Sequence, residues 1–390
     1  MDWLKVIKYC RVFLLGWLLV AAPGAASFST DQEKLPLTEL RAFAEAYYQI
    51  KSNYVEPVDD ITLIRAAIQG MVGSLDNHSR FLSPKEFERF NTDNIGEYAG
   101  IGLRFNDHKY GIEIAHVVKN SPAFRAGLKE GMLVTHIDGQ PIKFLAAEDA
   151  LAKLRGEVDS QVALTVAASE FPQPRDFILK REIILLESVK SQLLPNKTGY
   201  VAISQFTLNS VDEFKDAVAT LSESDALEKL IIDLRDNPGG VMEIAVELSD
   251  LFIPEGKLLI SSGRTDDANE IFYAHSAAPL SELSVVVIIN RGSASASEIM
   301  AAALKDHRKA VLLGEKSYGK GSIQTLIPLN HQSGIKLTTA EYFSPLGSKI
   351  QDIGVEPDVK FSEQKKNNPY NVSLLDDPQL LQAYNLLESK

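Results

Sequence analysis

Between residues 36 and 74, apolar side chains recur every three to four positions: Leu37, Leu40, Phe43, Ala44, Tyr47 and Ile50, then Ile64, Ile68, Met71 and Val72. A stripe at that period predicts two or three amphipathic helices. From about 96 to 181 the texture changes to short strands broken by glycine, at 100–105, 112–117, 133–137 and 162–167. A short helix falls over 121–128 and a longer one over 146–154. Beyond Val189 the apolar runs become continuous, at 199–203, 230–234 and 285–290, and alternate with helical patterns at 211–221, 242–252 and 296–305. Strands apolar on both faces and alternating with helices imply a mostly parallel sheet covered on both sides. In such sheets function collects at the carboxyl ends of the strands. Three loops belong there: 236–240, 291–297 and 314–320. A polar stretch at 362–371 precedes a last helix over 377–387, with Leu380, Leu381, Tyr384 and Leu387 on one side. Docking on the body and docking on another subunit are both open to it.

The amino terminus follows a different rule. Lys5, Lys8 and Arg11 precede an apolar run over 12–22, and small residues follow at Ala25, Ala26 and Ser27. That order is the layout of a secretory signal peptide. No single A-x-A site stands out, so an uncleaved anchor through residues 12–22 stays open. The sole cysteine, Cys10, lies inside this segment. Cleavage near Ala26 leaves no thiol, which excludes disulfides, thiol catalysis and cysteine-ligated metal. The 390 residues suggest two or three domains, and a net charge of −12 gives no electrostatic reason to bind nucleic acid.

Candidate chemistry begins at Gly292-Ser293-Ala294-Ser295-Ala296-Ser297-Glu298, between a buried strand and a helix. Ser295 and Glu298 have capping-box spacing. A serine there also faces free N–H groups and the positive end of the helix dipole, where an oxyanion would be stabilised. A serine hydroxyl needs a base. None of the seven histidines stands in a hydrolase-like motif, and no G-x-S-x-G elbow is present. A lysine is the alternative, if burial lowers its proton affinity toward neutrality at a cost of ~4 kcal/mol. Lys320, in Tyr318-Gly319-Lys320-Gly321-Ser322-Ile323-Gln324, has glycine on both sides and Ile323, Leu326 and Ile327 nearby. In an extended segment residues four apart face one side, so Gln324 could aim the amine. A third element, Arg235-Asp236-Asn237-Pro238-Gly239-Gly240, puts two glycines at a strand end, where backbone N–H groups can point into a site.

Two resemblances join these pieces. Gly100-Ile101-Gly102-Leu103, the segment 121–128 and Ile137-Asp138-Gly139 resemble a circularly permuted PDZ domain, with Met132 where Asp is usual. In that likeness Gly100, Ile101, Gly102 and Leu103 form the peptide-binding loop, and the adjoining strand edge pairs with an extended chain. The serine, lysine and glycine motifs, with Gly354-Val355-Glu356-Pro357-Asp358-Val359, resemble the carboxy-terminal processing peptidases (tail-specific proteases) over about 40–361. Asp236 stands where that family commonly has Asn, and Ala302 where it has Gly. The resemblance implies Ser295 as nucleophile, Lys320 as base 25 residues on, and Gln324 as orienting residue. Ala296 N–H, with either Gly239 or Gly240, would form the oxyanion hole.

The implied fold class is α/β, a crotonase/ClpP-like mixed-sheet core with a helical N-terminal region and an inserted β-rich PDZ domain. The segments are 1–27 signal peptide or anchor, 28–95 helical region, 96–182 PDZ domain, 183–361 protease core, and 362–390 tail and helix. The implied activity is that of a serine endopeptidase of the periplasm or bacterial cell envelope, acting on polypeptides with accessible C-termini. It needs no metal or cofactor, and an adaptor protein and a homo-oligomer are further partners the likeness suggests. A trypsin-like PDZ protease lacks its His and Asp here. A non-enzymatic PDZ adaptor remains the rival from another class.

Overall fold

The computed structural model describes residues 35–389 apart from 88–89, 91–95, 144–146, 171–172, 186, 224–225, 276, 330–332, 363–373 and 375. The signal-peptide or anchor reading falls on residues 1–27 and so lies outside the described residues. No helix among the described residues is long and apolar enough to cross a membrane.

The chain divides after Ile64 into two compact units. In the first, helix α1 (Leu37–Asn53) buries none of its side chains. Its Tyr47 hydroxyl and Lys51 ammonium both donate to Asp60, the first residue of α2 (Asp60–Gly73). Asp59 caps that helix, accepting the Thr62 N–H at 3.0 Å. Of the two or three helices expected, two begin within this stretch.

The second unit, which takes in α2 from Arg65 onward, continues with β1 (Arg80–Leu82) and β2 (Glu97–Gly100), followed by the PDZ sheet. The chain runs β3 (Leu103–His108), β4 (Gly111–Val117), α3 (Pro122–Arg125), β5 (Leu133–Ile137), β6 (Gln140–Pro141), α4 (Ala147–Leu154), β7 (Gln161–Ala167) and β8 (Arg175–Lys180). Spatial order is β3-β4-β5-β7-β8, so β3 is an edge strand. Its core holds Ile101, Leu103, Ile114, Val134, Ile137, Leu164 and Leu154. Strand β9 (Glu182–Leu185) pairs with β2, and these two strands carry the chain into and out of the PDZ sheet.

The core follows with β10 (Val189–Leu194), β11 (Thr198–Ile203), α5 (Ser210–Leu221), β12 (Lys229–Asp233), α6 (Met242–Asp250), β13 (Lys257–Gly263), β14 (Glu270–Tyr273), β15 (Ser284–Ile289), α7 (Ala296–Asp306) and β16 (Ala310–Gly314). It closes with β17 (Ser322–Pro328), β18 (Gly334–Phe343), β19 (Val359–Lys360) and α8 (Pro378–Glu388). The main sheet runs β10-β11-β12-β15-β16-β19, parallel except for the β10–β11 pair. Alternate residues explain its two covered faces. Leu230, Ile232, Val285, Val287 and Ile289 pack with α5, α6 and α7, whereas Ile231, Val286, Ile288 and Leu313 pack with Leu380, Ala383 and Leu387 of α8. The last helix therefore docks on its own chain. A second sheet, β1-β18-β13-β14 with β17 on the other side of β18, lies beyond the sequence expectations. Most residues of β18 are half-buried, so its pattern lacks a clean period of two.

Candidate active site

The expected three-loop convergence is present at the carboxyl end of the main sheet. Of the three serines after β15, two are locked. Ser293 Oγ donates to the Leu234 carbonyl at 2.7 Å, and Ser297 Oγ donates to the Asn237 carbonyl at 3.0 Å; both side chains are fully buried. Ser295 stands between them, half-buried, with φ 57° and ψ −116°. A left-handed φ is costly for a residue with a Cβ and persists only where the surroundings enforce it. Here the enforcement is visible. The Ala294 N–H donates to the Asn237 carbonyl at 3.0 Å, and the Ser295 N–H to Glu298 Oε2 at 2.9 Å.

The glycine loop after β12 presses directly on this turn. A Cβ on Gly239, whose φ is +101°, would lie 2.6 Å from Ser295 Cβ and 2.9 Å from the Ala296 nitrogen. Only glycine fits both the conformation and the space. Asn237, fully buried, shapes the loop: its Nδ2 donates to the Ile203 carbonyl at 2.7 Å and its Oδ1 accepts the Gly239 N–H at 2.8 Å. The Gly239 N–H is thus engaged. The N–H groups of Gly240 and Ala296 have no acceptor among the described residues. Gly239→Ala is expected to lower peptidase turnover about 10²-fold, through displacement of the Ser295 turn, and to destabilise by about 1–3 kcal/mol. Steady-state kinetics beside thermal melting checks both.

Glu298 joins the serine turn to the lysine loop. Fully buried, its carboxylate accepts the Ser295 N–H, the Ser317 hydroxyl at 2.5 Å, the Gly319 N–H at 2.7 Å and the Lys320 N–H at 2.8 Å. The capping-box spacing located this residue but gave no sign of the three contacts on the other loop. The lysine loop is braced from behind by residues 350–354. A Cβ on Gly321 would lie 2.3 Å from the Gln351 nitrogen, and the Gly321 N–H donates to Gln351 Oε1 at 2.9 Å. The Gly354–Val359 motif also supports this loop, the Ser317 N–H donating to the Val355 carbonyl at 3.1 Å.

Burial holds the Lys320 amine below the ordinary lysine range, while the Glu298 charge works in the opposite sense. A second lysine, Lys336 on β18, is lowered to about 8 by burial, then by Lys320 and Arg80. Among the described residues no hydrogen bond joins the Lys320 amine to Ser295 or to Gln324. Gln324 instead donates to the Ser322 hydroxyl at 2.7 Å and the Ser322 carbonyl at 3.1 Å. The strand starts only at Ser322 and slips register between Ile323 and Gln324, so strict alternation from Lys320 does not hold. Tyr342, which sequence reasoning missed, is buried between the two proposed catalytic residues. Its hydroxyl donates to the Lys320 carbonyl and lies beside the Ser295 side chain. Burial, reinforced by Glu298, raises this phenol well above its usual range. No described group of His, Cys, Asp and Glu residues could hold a metal ion.

The remaining site candidates lie in the PDZ region. Gly100 ends β2 and Leu103 begins the edge strand β3. Between them the Ile101 carbonyl accepts the Ala123 N–H at 3.0 Å and the Gly102 carbonyl accepts the Val118 N–H at 2.9 Å.

Comparison with known proteins agrees with this arrangement. The sequence profile of peptidase family S41 matches residues 197–361, that of a PDZ domain 113–167, and that of the activating protease CtpB N-terminal domain 22–83. A carboxy-terminal-processing protease of Bartonella bacilliformis is 33% identical over 376 residues, covering 95% of this chain and 86% of that one. A carboxyl-terminal-processing protease of Synechocystis is 33% identical over 354 residues, covering 86% and 82%. Among solved structures, the photosystem II D1 C-terminal processing protease is 29% identical with TM-score 0.50, covering 83% of this chain and 93% of that one. An S41-protease structure from Bacteroides fragilis, at 17% identity and TM-score 0.53 over 85% and 92%, shares the fold. The chain belongs to the carboxy-terminal-processing proteases, serine peptidases of family S41 that carry a PDZ domain.

Proposed function

We propose that this protease is an exported endopeptidase of the bacterial envelope that grips the C-terminal region of polypeptides through its PDZ domain and cleaves with a Ser295–Lys320 dyad. One observation carries the reading. Of the three serines, Ser295 alone keeps its hydroxyl off a backbone carbonyl, at a strained turn that Glu298 ties to the lysine loop. In the cleavage step Ser295 Oγ attacks the scissile carbonyl and its proton passes to a neutral Lys320 amine. The oxyanion that forms is met by the Gly240 and Ala296 N–H groups, which have no other acceptor among the described residues. Collapse expels the amine product, protonated by Lys320, and leaves an ester on Ser295. Water then attacks that ester, giving a proton to Lys320, which passes it to Ser295 Oγ as the ester bond breaks and the acid product leaves. Proton transfer requires the Lys320 amine within hydrogen-bond reach of Oγ, a contact that tightens in many enzymes only when substrate binds. Gln324, released from Ser322, would orient it.

The segment boundaries 1–27, 28–95, 96–182, 183–361 and 362–390 remain our proposed division. An adaptor and a homo-oligomer remain candidate partners. Edge strand β3 supports the peptide-gripping part, because an extended chain can add to it while its carboxylate meets the loop 100–103. A matched pair of peptides, with a free or an amidated C-terminus, tests this. The amide is expected to raise KM about tenfold with little change in kcat, a loss of about 1.4 kcal/mol. Equal KM values would remove the carboxylate from the recognition.

A further inference from the structure

The C-terminal helix α8 does more than cover one face of the main sheet. Its cap residue Asp377 accepts the Leu380 N–H at 2.9 Å and receives Arg235 Nη2 at 2.8 Å and Nη1 at 3.4 Å. Arg235 is held from the other side by Asp233, with Nε 3.0 Å from both carboxylate oxygens and Nη2 at 2.6 Å. Asp233 also receives the Tyr200 hydroxyl at 2.8 Å. The side chains of Arg235, Asp233 and Asp377 are 9%, 7% and 8% exposed. Arg235 immediately precedes the loop 236–240 that presses Gly239 against Ser295. Two residues into α8, the buried Gln379 accepts Arg235 Nη1 at 3.3 Å. Its Nε2 lies 2.6 Å from where a Cβ on Gly314 would stand. Gly314 ends β16, from which the lysine loop departs. The first turn of α8 therefore touches the roots of both loops that serve the site.

We propose that Asp377 and Gln379 are positioning residues for cleavage, holding the glycine loop and the lysine loop in mutual register through Arg235 and Gly314. The proposal rests on the Ser295–Lys320 reading. Covering the sheet needs only Leu380, Ala383 and Leu387. A buried ion pair stabilises little beyond an apolar contact, because desolvation offsets the attraction. What a forked guanidinium between two carboxylates adds is a fixed place and angle. Loop placement matters, since a displacement of about 1 Å in a site can cost as much as 10²-fold in rate.

Asp377→Asn in the full chain keeps an acceptor for the Leu380 N–H and removes the charge facing Arg235. Its kcat is expected to fall about tenfold with KM within about twofold, a pattern of lost transition-state contact. Labelling of Ser295 by a peptidyl phosphonate should slow in the same ratio, with an unchanged circular-dichroism spectrum. Gln379→Ala, which leaves cap and ion pair intact, should lose about threefold in kcat with the same split. It carries the test should Asp377→Asn fail to fold. Wild-type kcat and labelling per folded molecule in the variants that fold, whatever their melting temperatures, would overturn the positioning role. A rise in KM with kcat unchanged would do the same. A peptidase that survives Ser295→Ala would instead bring down the reading of the site itself.

Discussion

Ser295→Ala is expected to leave a folded protein with at least about 10⁴-fold lower peptidase turnover, the scale on which removing a serine nucleophile acts. Folding should survive because most of the contacts that hold the turn come from its backbone and from the neighbouring serines. The Ser295 N–H still reaches Glu298, Ala294 still reaches Asn237, and Ser293 and Ser297 keep their carbonyl partners. Alanine also occupies the small space beside Gly239 that the serine Cβ already fills. Peptide hydrolysis and thermal melting on the same preparation check the two halves. Ser293→Ala is the informative contrast, since its hydroxyl bridges the Leu234 carbonyl and the Asn290 N–H, so its loss should appear in stability.

Lys320→Met is expected to lower kcat by about 10²–10⁴-fold, the range a general base contributes. Methionine keeps the length and bulk of the stem. The structural roles of Lys320 belong to its backbone, the N–H bonded to Glu298 and the carbonyl bonded to Tyr342, and both persist. Lys320→Arg should fare no better, because a guanidinium stays protonated and cannot accept the serine proton. The two losses should not add: once Ser295 is gone, removing the base costs nothing further, as for any pair acting as a unit. The pH dependence has a definite sign. The base works only when neutral, so kcat/KM is lost as pH falls through the Lys320 pKa, and burial places that limb below the range of an exposed lysine. Lys320→Met should abolish the limb along with most of the rate.

Much of this was legible in the residues because long one-sided or two-sided apolar runs have few solutions. The strands at 230–234 and 285–290 and the helix after Ser295 appear within a residue or two of expectation. The second sheet was not legible, because β18 is half-buried along most of its length and pairs with strands far away in sequence. Within the site, the motifs located the loops but not their internal partners. Glu298 looked like a cap until the lysine loop was seen folded against it. The sequence leaves Gly239 and Gly240 equivalent, because no local pattern shows that the Asn237 side chain engages the Gly239 N–H. Tyr342 lies 47 residues beyond Ser295 on β18, with no local pattern to link it to the site. The docking of α8 depended on the other face of the sheet, which periodicity shows to be apolar without saying what covers it.

The most direct test is to locate the adduct of a peptidyl phosphonate by mass spectrometry and to follow its rate against pH in wild-type, Ser295→Ala and Lys320→Met proteins. A Ser295 nucleophile with a Lys320 base predicts one adduct on Ser295, with a rate that climbs as Lys320 deprotonates. It predicts none in Ser295→Ala and a slow, pH-flat reaction in Lys320→Met. An adduct on another residue, or a Lys320→Met protein that labels at the wild-type rate, would contradict it.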